Sequence, residues 1–150
     1  MSLVRARIDI DRPRAEVFAA VLDPDLLGRW VTIHRRVNRA DEGPLHEGYE
    51  MEQTLHLRGA NFKVRWELTE HTPPSHATWE GRGPAGSYAR TSYALAARDG
   101  DERTRFSYEN EFKVPGGFLG RTASRALVGG ISEREARRSL ERLKALLEKG

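Results

Sequence analysis

Apolar and polar residues alternate through most of this chain, and the two departures from that alternation carry as much information as the pattern itself. Val4 to Ile10 alternate apolar and polar and predict a first strand. Asp11–Phe18 and Asp23–Trp30 then break the rhythm and predict two short helices. Asp23 suits an N-cap, Pro24 the first helical position and Asp25 the positive end of the helix dipole, while Gly28 lets that helix stop. Val31, Ile33 and Val37 open a strand on one parity, and Asp41-Glu42-Gly43-Pro44 reads as a turn. In the next strand Tyr49, Met51, Leu55 and Leu57 share a face opposite Glu50, Glu52, Thr54 and His56. Arg58-Gly59-Ala60-Asn61 makes a tight connection, after which Phe62, Val64, Trp66 and Leu68 alternate with Asn61, Lys63, Arg65 and Glu67. Pro73-Pro74 precedes a short strand bearing Trp79, and a Gly-rich turn follows. The last two strands put Thr91, Tyr93 and Leu95, then Phe106, Tyr108 and Phe112, on a common side. Such alternation marks an antiparallel sheet with one wet and one covered face.

What covers the sheet is helical. Pro115-Gly116-Gly117 ends the strands, and Phe118, Leu119, Ala123, Ala126 and Leu127 form one apolar stripe. Ala136, Leu140, Leu143 and Leu147 form another. Gly129-Gly130 between them costs roughly 1 kcal/mol per glycine in a helix interior, so a kink or break is expected there. Ser132 with Glu135 is a capping-box pattern, flanked by Ile131 and Ala136 as a staple. The whole order describes a curved antiparallel sheet of about seven strands wrapped around a long C-terminal helix, with two short helices after the first strand. This is an α+β architecture in which a curved sheet grips a helix around an interior cavity.

Composition narrows the setting. At 150 residues, one domain spanning 1–150 is expected, burying roughly 68–70% of its unfolded surface. With no Cys, disulfides, thiolate metal sites and a Cys nucleophile are excluded. The start lacks the apolar core of a signal peptide, and no run approaches the ~20 apolar residues of a membrane span, so a soluble, cytoplasmic protein is expected. Lys+Arg 25 against Asp+Glu 22 leaves a net charge of only +3. The basic residues of the C-terminal segment are interleaved with Glu133, Glu135, Glu141 and Glu148, the pattern of a solvated helix face and not of a nucleic-acid site. Transient contact with an anionic membrane is the one surface interaction this basic amphipathic tail suggests.

Several residues together carry a family resemblance: Ile8-Asp9-Ile10 with Pro13 and Glu16-Val17-Phe18, Asp23-Pro24 through Trp30, the Gly48-Tyr49 strand opening, and the tail Leu140 to Glu148. Over essentially its whole length the chain resembles the START-related, birch-pollen-allergen-like helix-grip superfamily, especially its polyketide cyclase/dehydrase and lipid transport branch. The resemblance implies a β-α-α-β-β-β-β-β-β-α order and a hydrophobic pocket between sheet and C-terminal helix. Gly129-Gly130 departs from an uninterrupted helix. Because that superfamily holds lipid carriers, coenzyme-Q-binding proteins, cyclases and chaperone activators, it speaks to fold more than to function.

The candidate chemistry lies on the apolar parity. Gly81-Arg82-Gly83-Pro84-Ala85-Gly86 matches a dinucleotide fingerprint literally but is followed by a strand, not a helix, and reads as a hairpin turn. His34, His46, His56, His71 and His76 show no metal-ligand spacing. Gln53 falls between Met51 and Leu55, and Asn110 between Tyr108 and Phe112. An unpartnered buried amide costs roughly 1–3 kcal/mol, so each must meet a protein group or a ligand. Tyr49, Met51, Gln53, Trp66, Trp79, Tyr93, Tyr108, Asn110 and Phe112, with Leu119, Ala123 and Leu127 from the helical stripe, are the expected ligand-binding set. The helix from Phe118 to Leu127 would act as lid, with Gly129-Gly130 as hinge. Arg35 shares the parity of Ile33 and Val37 and could meet an anionic group or lie at a wet strand end. No His, Asp or Glu falls on the inner face, which tilts the reading away from catalysis. The expected function is binding or transport of a small hydrophobic molecule (a lipid, quinone or polyketide-like compound), without cofactor, catalytic residue or metal. The alternatives are a polyketide cyclase or dehydratase using the cavity tyrosines, and a protein-interaction module.

Overall fold

The computed structural model describes residues 2–114 and 131–149. Within them lie β1 (Ser2–Ile10), α1 (Arg14–Leu22), a 3-10 turn (Pro24–Leu26), α2 (Leu27–Trp30) and β2 (His34–Ala40). These are followed by β3 (Glu50–Leu57), β4 (Ala60–Thr72), β5 (His76–Arg82), β6 (Tyr88–Arg98), β7 (Arg103–Lys113) and α3 (Glu133–Glu148). The strands make one open, curved antiparallel sheet in the order β1-β7-β6-β5-β4-β3-β2. The first two strands therefore sit at opposite edges, and α1 and α2 carry the chain across the mouth of the sheet between them.

Local chemistry sets these elements. Asp23 caps the 3-10 turn by accepting from the Asp25 N–H at 2.9 Å, with Pro24 at its first position. β3 and β4 are joined through Arg58 (φ 49°) and Gly59 (φ 81°), the two left-handed residues that a tight hairpin needs to match strand twist. In β4, Phe62, Val64, Trp66 and Leu68 are buried while the residues between them are exposed. The stretch from Gly81 to Gly86 is the end of β5 and its turn into β6.

β2 departs from the expected pattern. Register shifts after His34 and after Val37 leave Arg35 and Asn38 as extra residues, so His34, Val37 and Ala40 face inward with a spacing of three. Arg35 is consequently exposed, on the wet side, and Val31–Ile33 form a turn ahead of the strand.

α3 opens on Ser132, whose hydroxyl accepts from the Glu135 N–H at 3.1 Å. It packs on β1 and α2, burying Ala136, Leu140 and Leu143. Its ends are tied down by polar contacts. Near the start, Ser139 Oγ accepts from the Thr32 N–H at 3.0 Å, and the Glu135 carboxylate accepts from the Thr32 hydroxyl. Near the finish, Lys144 Nζ donates to the Asp9 carbonyl at 2.8 Å, and Glu148 accepts from the Asp11 N–H at 2.7 Å. The expected lid helix from Phe118 to Leu127 and the Gly129-Gly130 hinge lie outside the described residues.

Candidate ligand cavity

A cavity of about 120 Å³ lies between the inner face of the sheet, α2 and the start of α3. Eight of the residues expected to line it do so: Met51, Gln53, Trp66, Trp79, Tyr93, Tyr108, Asn110 and Phe112. Tyr49 does not. It is buried with its ring edge against Trp79, 6.2 Å between centroids, and its other side turns to a separate groove near α1. Leu119, Ala123 and Leu127 lie outside the described residues. Residues without an inner-face strand pattern were missed: Trp30, Leu27 and Val31 from α2 and its exit, and Ile131 and Ser139 at α3. Trp30 was legible as the end of a helix, but nothing in the linear pattern aims that helix into the sheet.

The wall rests on one small residue. Gly81 pairs with Trp66 across β4 and β5. A Cβ there would lie 2.7 Å from Trp66 Cε3 and 2.8 Å from Val64 Cγ1. The Trp66 indole thus occupies space that any side chain at position 81 would need.

Two sets of polar groups lie along the cavity. On β6 and β7, Asn110 stands opposite Thr91 and donates to the Thr91 hydroxyl at 2.8 Å. Tyr93 and Tyr108 stand opposite each other with rings stacked at 6.2 Å. Burial pushes both phenols well above the ordinary tyrosine range; Tyr108 adds to the effect on Tyr93, whereas the Asn110 amide pulls Tyr108 part of the way back. On β3, Trp66 Nε1 donates to Gln53 Oε1 at 2.9 Å, and Gln53 Nε2 lies 2.8 Å from His34 Nδ1.

That second set orders itself. An indole N–H only donates, so the Gln53 oxygen must face Trp66 and its NH₂ must face His34. Nδ1 of His34 therefore accepts, and the imidazole is neutral with its proton on Nε2. Burial lowers the His34 pKa in the same direction. An imidazole was not expected on this side of the sheet; the bulge at Arg35 turns it inward.

No Asp, Glu, Lys, Arg or His lines the cavity among the described residues. Leu57, Pro84 and Phe112, at the end formed by the β3–β4 and β5–β6 hairpins and the finish of β7, are only half-buried. Trp30, although fully buried, holds its Nε1–H without an acceptor among the described residues.

Residues 1–148 match the family described as polyketide cyclase/dehydrase and lipid transport. The chain belongs to that family. Solved structures agree at the level of fold. The Zhui aromatase/cyclase from Streptomyces sp. R1128 superposes with a TM-score of 0.74 at 16% identity, covering 98% of this chain and 93% of the other. The protein DR_A0006 from Deinococcus radiodurans gives 0.73 at 18% identity, covering 100% and 99%. Among curated proteins, one called Toxin Rv0910 from Mycobacterium tuberculosis is 22% identical over 99 residues, 66% of this chain and 69% of that one. The open curved sheet, the long terminal helix and the short helices after β1 are thus the family's helix-grip frame. Among the described residues no helix is long and apolar enough to cross a membrane.

Proposed function

We propose that this family member binds a small uncharged hydrophobic molecule (a lipid, quinone or polyketide-like compound) in the cavity described above. The observation that carries the reading is a wall of aromatic and aliphatic side chains, with amide and hydroxyl groups but no carboxylate, amine, guanidinium or imidazole among the described residues. Apolar burial at roughly 25 cal/mol per Å² drives uptake. The volume of about 120 Å³ seats a piece of ligand the size of one ring, since drug-sized sites run to about 300–1,000 Å³. The rest of a longer molecule leaves through the half-buried end beside Leu57, Pro84 and Phe112. A carbonyl oxygen is the matching polar group, because Tyr93, Tyr108 and Trp30 offer hydrogens. A carboxylate is disfavoured: no cationic side chain among the described residues lines the cavity to compensate its desolvation.

Native mass spectrometry of the protein gently purified from its own cells tests this. A discrete added mass, released by organic extraction as a neutral compound, supports the reading. Extraction of a fatty acid or another anion overturns its uncharged part, and a protein that takes up no neutral aromatic ketone at saturating concentration overturns binding.

A second reading, a cyclase or dehydratase, rests on the Tyr93–Tyr108 pair. Phenols whose pKa is pushed up are poor proton shuttles at neutral pH, but they remain good donors to a developing enolate. Turnover of a poly-ketone substrate that drops about a hundredfold in Tyr108→Phe would favour this reading over pure carriage; equal turnover in the variant would remove it.

A further inference from the structure

Two buried donors on the cavity wall have hydrogens to spare. The Trp30 indole N–H is buried, Trp30 lines the cavity, and the N–H has no acceptor among the described residues. Gln53 is 5% exposed and carries an NH₂ with two hydrogens, of which His34 Nδ1 takes one. The other has no partner among the described residues, and Gln53 lines the same cavity. An unsatisfied buried donor costs roughly 1–3 kcal/mol, so this wall favours an occupant that brings an acceptor.

The orientation of Gln53 is conditional. Its amide lies in a chain of three side chains from three adjacent strands, Trp66 on β4, Gln53 on β3 and His34 on β2. Trp66 Nε1 donates to the Gln53 oxygen at 2.9 Å. At the other end His34 accepts from the amide at 2.8 Å, which it does only while Nδ1 is unprotonated. Once Nδ1 carries a proton, both ends of the chain donate, and the one amide oxygen cannot face both. Kept as it is, the amide sets its NH₂ against the imidazolium; turned over, it sets its NH₂ against the Trp66 N–H.

His34 is placed to take that proton, because its ring is half-buried and not sealed. Gly28 of α2 lies beside it, where a Cβ would stand 3.4 Å from His34 Cδ2. Burial is the one cause of its lowered pKa: Arg29 on α2, Arg35 and Arg36 on β2, Glu52 on β3 and Glu135 on α3 do not contribute.

We propose that Gln53 selects the ligand's oxygen through its second N–H, and that His34 positions Gln53 for this when neutral and not when protonated. The inference rests on the cavity's binding a neutral hydrophobic molecule, and it names what that molecule carries: a keto or quinone oxygen at the β3 wall. Ligand and proton then compete, and by reciprocity an occupied cavity makes His34 harder to protonate.

The probes are acetophenone and α-methylstyrene, its planar isostere with CH₂ in place of the oxygen. Tryptophan fluorescence reads their affinities on either side of the His34 titration midpoint, which the imidazole proton resonances report. The ketone should bind about fivefold more weakly below that midpoint than above it, and the hydrocarbon equally at both. Bound ketone should move the His34 midpoint to lower pH. His34→Gln, which offers Gln53 an acceptor that does not titrate, should hold the ketone's affinity constant across the range. Gln53→Leu should bring ketone and hydrocarbon to similar affinities. A ketone affinity that ignores the His34 midpoint, one that falls equally in His34→Gln, or a hydrocarbon with the same profile would overturn the inference and leave neutral binding intact. Failure of both probes to bind at any pH would instead overturn the binding reading, and this inference with it.

Discussion

Gly81 and Gln53 decide what the cavity wall looks like, and each makes a definite demand on its neighbours. A methyl group at position 81 must push aside a buried indole and a buried valine, both of which line the cavity. Gly81→Ala should therefore cost about 1–3 kcal/mol in denaturant unfolding and reduce ligand uptake as Trp66 moves into the cavity. Gln53→Leu leaves Trp66 Nε1 without an acceptor, and the cost should be about 1–3 kcal/mol, with a change in tryptophan emission. His34 adds a pH dependence. Its pKa in the folded chain lies below the ordinary 6.5, so the unfolded chain takes the proton first. Stability should be fully present above 6.5 and decline as pH falls from there towards the folded value. This component should vanish in His34→Gln, which keeps an acceptor for Gln53. Gln53 and Asn110 were legible in the sequence because an amide on an apolar parity stands out. His34 was not, because two bulges in seven residues replace a spacing of two by a spacing of three.

At the scale of elements, the hairpins and caps followed local chemistry and were readable. Asp23-Pro24 starts a helical turn, Ser132 starts α3, and the glycine-rich stretch after Trp79 turns from one strand into the next, with no helix opening after it. How the elements dock was less readable, because it depends on polar ties between residues distant in sequence. Thr32 to Ser139 and Glu135, and Asp9 and Asp11 to Lys144 and Glu148, fasten α3 to the first third of the chain. Removing one tie tests their weight. Ser139→Ala should lower stability by about 1 kcal/mol and speed amide hydrogen exchange in the first turns of α3 more than in β5 or β6. Equal exchange everywhere would show that apolar packing alone holds the helix. At the other end, Lys144 first and then the Asp11 N–H hold the Glu148 carboxyl below its ordinary range. That contribution is present above 4.5 and is lost as pH falls through the lower, folded value.

Across the whole molecule, a seven-stranded sheet with its two edge strands bridged by short helices leaves an interior that α3 closes incompletely. Outside β2, alternation along the strands was enough to foresee which faces meet there. Tyr49 fell away because parity specifies a face of the sheet, not which concavity on that face a residue reaches. All three tryptophans of the chain, Trp30, Trp66 and Trp79, line the cavity, so its occupant is visible to their own fluorescence. The most direct test is a fluorescence titration with acetophenone, an uncharged aromatic ketone of one ring, beside benzoate, an anion of similar size. A cavity that takes neutral hydrophobic molecules should give a saturable change with the ketone, no saturable change with benzoate, and a weakened ketone response in Gly81→Ala. A flat response to the ketone, or equal binding of the carboxylate, would contradict it.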